Sequence, residues 1–191
     1  MGSTPMTVIS LRSDKPMEKD SSCINICTCA HYLKSVLAEI PCGRLFRDII
    51  GNREFFVTDE STGRLMSVPQ DYLLEPGNWI SNDLLNRVYQ NTISILEDPD
   101  AIYKAGKNIF KTAVGSQVFL MRLAGVQTII NRLPKENAKF NANRSIKIIE
   151  NQNGYAVVRI YWKDDPAVTR LFCDMNRGVY EGLGKLTGNP A

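Results

Sequence analysis

At Ser145 the spacing of apolar residues changes from every third or fourth position to every second, and this limits the fold more than any other feature. Upstream, CINICTCAHYLKSVLAEI carries Ile26, Ala30, Leu33, Leu37 and Ile40 on one helical face. SNDLLNRVYQNTISILED does the same with Leu84, Leu85, Val88, Thr92, Ile95 and Leu96. Downstream, RSIKIIE, YAVVRIYW and AVTRLFC, divided by NQNG and KDDP, predict a three-stranded antiparallel meander. On its middle strand Ala156, Val158, Ile160 and Trp162 share one face. The final stretch DMNRGVYEGLGKLTG predicts a helix. The expected fold is therefore α+β: an N-terminal helical layer on an antiparallel sheet, closed by a C-terminal helix.

Punctuation divides the helical part. Ser21 and Ser22 can cap the first helix, and Pro41 with Gly43 ends it. GRLFRDIIG predicts a short second helix, and the turn-rich cluster Asp59 to Gly63 predicts a small hairpin. YLLEPGNWIS places Trp79 between a Pro-Gly turn and Ser81, a candidate N-cap. AIYKAGKNIFKTAV and SQVFLMRLAGVQTIINRL predict two helices separated near Gly115, and Pro134 suits the first turn of a further short one. These boundaries give a flexible leader over 1–21 and one domain over 22–191. The helical part covers 22–141; the sheet and last helix cover 145–188. An open three-stranded sheet also predicts further strands, or a longer protein of which this is the front part.

Composition and charge exclude several classes. At 191 residues with 43% hydrophobic residues the chain can bury one core. A net charge of +3, with its basic residues scattered, lacks the concentrated stripe that nucleic acid requires. No apolar run approaches the roughly 18 residues of a membrane helix, and the first residues lack the apolar centre of a secretory signal. Five cysteines, an odd number, do not make a disulfide framework. The expectation is a soluble cytoplasmic protein with reduced thiols.

Few residues carry recognisable chemistry. Cys23, Cys27, Cys29, His31 and Cys42 are ligand types for zinc, but on a helix Cys29 and His31 project away from Cys23 and Cys27. Core packing is the preferred reading of these cysteines. Haem would have to use His31 or a cysteine as axial ligand, so no cofactor is predicted; haem and zinc stay as alternatives. No phosphate loop, dinucleotide fingerprint or nucleophile elbow occurs. Asp59-Glu60 and Asp164-Asp165 read as turn residues. Met66, Met121 and Met175 suit either an adaptable pocket or the core. Asn176 and Arg177 would open the last helix after a strand and could hold an anion there. Trp79, Tyr89, Tyr103, Phe110, Phe119, Tyr161, Trp162 and Phe172 would wall a helix–sheet interface suited to a small apolar ligand, or fill a core. From these, Trp79, Tyr103, Phe119, Trp162 and Arg177 are taken as candidate ligand-binding residues.

The order of Ser22-Cys23, Tyr32-Leu33, YLLEPGNWIS, EDPDAIYKAG, INRLPKENAKFN, the meander and FCDMNRGVYEGL resembles a family of bacterial sensory input domains. These are related to the 4-vinyl-reductase-like and haem-NO-binding-like ligand domains found in front of histidine kinases, cyclases and some transcription regulators. The resemblance spans roughly residues 22 to 188. The stretch from Arg53 to Met66 is longer than the usual connection in that family, and His31 does not match its haem-ligand position. The resemblance implies a non-catalytic input domain sensing a small, largely apolar molecule, a homodimer, and a downstream module holding any catalysis. The alternative is an interaction or dimerisation domain without a small-molecule ligand; an enzyme using the Cys/His cluster ranks third.

Overall fold

The computed structural model describes residues 16–52, 54–112, 116–152, 155–163 and 167–186; the side chains of 111, 112 and 116–126 are not described. The chain is mixed helix and strand. β1 (Ser21–Ser22) leads into α1 (Ile24–Leu37), then α2 (Cys42–Leu45), β2 (Phe56–Thr58) and β3 (Leu65–Ser67). Then come α3 (Gln70–Leu73), β4 (Trp79–Ile80), α4 (Asn82–Leu96), α5 (Ala101–Thr112) and α6 (Ser116–Asn137). β5 (Arg144–Gln152), β6 (Tyr155–Trp162) and α7 (Arg170–Leu186) complete it.

The helix faces read from spacing are the faces that bury. On α4, Leu84, Leu85, Val88, Thr92 and Ile95 are buried, and the Ser81 hydroxyl accepts the Leu84 N–H at its start. On α1, Ile26, Ala30 and Leu33 are buried, but Ala38 turns left-handed at φ 66°, so the helix stops before Pro41 and leaves Leu37 exposed. Ser22 accepts the Ile24 N–H through its hydroxyl. Asp59 holds the hairpin end, accepting from the hydroxyls of Ser61 and Thr62 and from the Ser61 N–H.

Strands pair only in twos among the described residues, all antiparallel: β1 with β4, β2 with β3, β5 with β6. The expected third strand of the meander, AVTRLFC, is not one. Its residues from Arg170 on are the first turn of α7. Leu171, Phe172, Met175, Val179 and Leu183 recur at helical spacing, and Phe172, Met175 and Leu183 are buried, so burial follows the helical period. A second boundary also differs. α6 runs through Pro134 to Asn137, although proline has no N–H to donate to the Ile130 carbonyl one turn back. β6 keeps its expected alternation except at Val157, which is half-buried: Tyr155, Arg159 and Tyr161 are exposed and Ala156, Val158, Ile160 and Trp162 half-buried. The separation near Gly115, the tips at 153–154 and 164–166, and residues 1–15 and 187–191 lie outside the described residues.

Residues 17–21 of the stretch expected as leader, and Ser22 after it, are joined to three distant segments. Met17 donates its N–H to the Phe56 carbonyl (2.9 Å), Asp20 to Ile80 (3.0 Å) and Ser22 to Phe140 (2.8 Å), while the Ala142 N–H donates to Asp20 (2.8 Å). Helices α5 and α7 cross without intervening side chains. A Cβ on Gly178 would collide with the Tyr103 carbonyl oxygen, and one on Gly182 would lie 2.6 Å from the Lys107 oxygen. Gly178 and Gly182 are four residues apart, so both fall on the face that meets α5.

Candidate functional site

The joint YLLEPGNWIS is held from both sides. The Ser22 hydroxyl donates to the Pro76 carbonyl (2.6 Å), and the Cys23 N–H to that of Asn78 (2.8 Å). The Asn78 amide donates to the Tyr72 carbonyl (2.9 Å), and the Tyr72 hydroxyl closes the loop on the Trp79 carbonyl (2.8 Å). Strand pairing sets Trp79 opposite Ser22 and Ile80 opposite Ser21. Ile80 is buried, so alternation turns Trp79 outward, where its half-buried ring lines a cleft of about 930 Å³ between this joint and the β2–β3 hairpin. Met17, Phe56, Met66 and Tyr72 supply its other apolar and aromatic surface. Lys19 and the carboxylates of Asp59 and Glu60 also line it. Burial pushes the Tyr72 phenol upward, so it stays a neutral donor to Trp79.

The other expected ligand residues lie elsewhere. Tyr103 on α5 lies under Arg177 of α7, whose guanidinium carbon is 4.4 Å from the ring centroid. The Tyr103 hydroxyl donates to the Glu181 carboxylate, which also pairs with Lys107 at 2.5 Å and Lys185 at 3.2 Å. The hydrogen bond from Lys107, then that from Tyr103, holds the Glu181 carboxyl down at about 2. Arg177 is not at a helix start: α7 begins at Arg170, so the backbone N–H groups near Asn176 and Arg177 lie inside the helix and offer no anion site.

Trp162 belongs to a third place. It meets Phe172 edge-on at 5.6 Å, and Phe172 meets Tyr89 at 5.3 Å. Arg144, which spacing did not single out, stands over Trp162 with its guanidinium carbon 5.0 Å from the ring. Phe119 falls on α6, and its side chain is outside those described. Among the described residues no hydrogen bond, ion pair or ring contact joins Trp79, the Tyr103–Arg177 pair and Trp162 to one another.

The α1 cysteines are enclosed. Burial pushes the Cys23 and Cys29 thiols up to about 12 and that of Cys27 to about 11, which keeps them protonated and unreactive. Cys42 is half-buried, and His31 is exposed on the outer face of α1. Among the described residues no three His, Cys, Asp or Glu side chains gather as metal ligands. No described helix is long and apolar enough to cross a membrane. No family model, curated protein or solved structure matches the chain.

Proposed function

We propose that this chain is a non-catalytic sensory domain that binds a small, largely apolar molecule in the cleft beside Trp79 and acts as the input of a bacterial signalling protein. The cleft carries this reading: about 930 Å³ lies within the roughly 300–1,000 Å³ of small-molecule sites, and its aromatic and thioether lining suits an apolar ligand. The segment with Met17, the hairpin and the Trp79 joint all contribute walls, so an occupant would bind best to one arrangement of the three and shift the population toward it. The same residues lead straight into α1 and α4, which gives that shift a route to a downstream module, in a homodimer or otherwise.

A second reading is a protein-interaction or dimerisation domain with no small-molecule ligand. The β5–β6 ribbon favours it, because Ile149, Tyr155 and Tyr161 are exposed on a two-stranded sheet. One experiment separates the two. The purified protein is denatured and extracted for organic compounds, beside a Trp79→Ala variant and a measurement of solution mass. A compound released by the parent and not by the folded variant supports the sensory reading. No released compound, with a tight dimer, defeats it in favour of the second.

A further inference from the structure

Arg144 opens β5 at the junction of α6, β6 and α7, and among the described residues its charge has no counter-ion. Its Nε donates to the Asn137 side-chain oxygen at 2.7 Å and its Nη1 to that of Asn176 at 2.8 Å. The Trp162 ring covers one face of the guanidinium. Among the described residues no carboxylate pairs with it, and its Nη2 carries no described acceptor. Burial pulls the Arg144 pKa down, yet a guanidinium keeps its proton in any protein, so the charge persists. Neutral amides solvate such a charge without cancelling it, and a cation withdrawn from water without an anion is costly.

The amides that hold Arg144 are themselves fixed. The Asn176 amide nitrogen donates to the Phe172 carbonyl at 2.6 Å, which turns its oxygen toward Arg144. The Asn137 oxygen also accepts from Asn141 at 3.2 Å. Asn137, Asn141 and Asn176 are all buried, so this support cannot drift. One residue before Arg144, Asn143 is only 3% exposed, and neither its amide nitrogen nor its amide oxygen has a partner. A native structure seldom leaves both atoms of a buried amide unpaired. An oriented guanidinium whose Nη2 has no acceptor among the described residues is arranged as a receptor.

We propose that Arg144 is an anion-binding residue that takes the carboxylate of a small organic acid, with Trp162 beside the ligand and Asn137 and Asn176 as positioning residues. The planar fork of guanidinium matches a carboxylate, and the aromatic rings of Trp162 and Phe172 favour an acid with an apolar body. This site stands apart from the cleft beside Trp79, so either can fail without the other.

The test uses Trp162 fluorescence in a Trp79→Phe background, titrated with benzoate, acetate, inorganic phosphate and the neutral analogue benzamide. Benzoate is expected to give a saturable change that benzamide does not give. Arg144→Lys, which keeps the charge and loses the fork, should weaken benzoate at least about tenfold, and Arg144→Gln should abolish the change. Arg159→Gln, a charge removed from the exposed face of β6, should leave binding unaltered. If Arg144→Gln fails to fold, Arg144→Lys carries the test. The proposal is overturned by no saturable change with benzoate, by equal affinity for benzamide, by phosphate binding more tightly than benzoate, or by an Arg144→Lys variant that binds as the parent does.

Discussion

Replacing Gly178 by alanine puts one methyl group where two helix backbones meet. The new Cβ would collide with the Tyr103 carbonyl oxygen and lie 2.8 Å from the Lys107 nitrogen and 3.1 Å from the Gly106 carbonyl carbon. All three are backbone atoms of α5, so no side chain can rotate aside and the helices themselves must separate. Overpacking in a fixed core costs about 1–3 kcal/mol, and rigid backbone on the receiving side places this case at the upper end. Alanine returns about 1 kcal/mol through its better helix propensity. The net loss is about 2 kcal/mol, or about 4–8 °C in melting temperature for a domain of this size. Urea unfolding of parent and variant measures it. Gly43→Ala serves as control, because nothing lies within 4 Å of its added Cβ. Gly106→Ala faces the opposite side of the same crossing, with its Cβ running into the Met175 carbonyl. Once one methyl has spread the helices the second meets less resistance, so the double variant should lose clearly less than the two singles together. A Gly178→Ala protein within about 0.5 kcal/mol of the parent, or strictly additive losses, would refute the close crossing.

Trp79→Ala should destabilise by about 2 kcal/mol, less than a fully buried tryptophan because the ring is half-buried, and a denaturation midpoint measures it. Tyr72→Phe deletes the hydroxyl bonded to the Trp79 carbonyl and should cost about 1 kcal/mol in the same assay. Thiol reagent should modify exposed Cys173 in the native protein, while Cys23, Cys27 and Cys29 react only on unfolding; mass spectrometry of partly labelled protein reads the order. These three thiols have folded pKa values raised above 9.0 to about 11–12, so the unfolded chain ionises first. Their contribution is therefore intact below pH 9 and falls as pH rises from 9 toward about 12, and replacing all three by alanine should flatten that fall in the urea midpoint.

Much of the fold could be read from periodicity and punctuation. α4 combines a hydroxyl cap at Ser81 with an unbroken apolar stripe, and Asp59 to Gly63 concentrates turn residues between two short apolar pieces; both signals are local. AVTRLFC misled for a physical reason. Seven residues fit alternation and helical spacing about equally, and the helical answer emerges only when Leu171 and Phe172 are joined to Met175, Val179 and Leu183. Pro134 was read as a start because proline favours a first turn, yet α6 carries it in its last turn at the cost of one ladder hydrogen bond. The glycine crossing was not read from sequence: Gly178 and Gly182 stand four residues apart, but that spacing gains meaning only once α5 is known to lie against them. Arg144 left no signal at all. A single arginine in NANRS becomes distinctive only when tertiary structure surrounds it with asparagines from α6 and α7 and the Trp162 ring. The cleft beside Trp79 was half-visible: the joint stood out in sequence, but its other wall is built by the hairpin and by residues 16–19.

The backbone partners of residues 17–22 also set a schedule for folding. A ribosome delivers these residues before their partners, so Met17 waits for Phe56, Asp20 for Ile80, and Ser22 for Phe140 to emerge. The early strand therefore stays without its hydrogen bonds until these segments emerge, and loop closures of such length are slow compared with helix formation. β4 directly precedes α4, so β1 can pair as soon as α4 has formed, and only the bonds to Phe140 and Ala142 wait for the chain beyond α6.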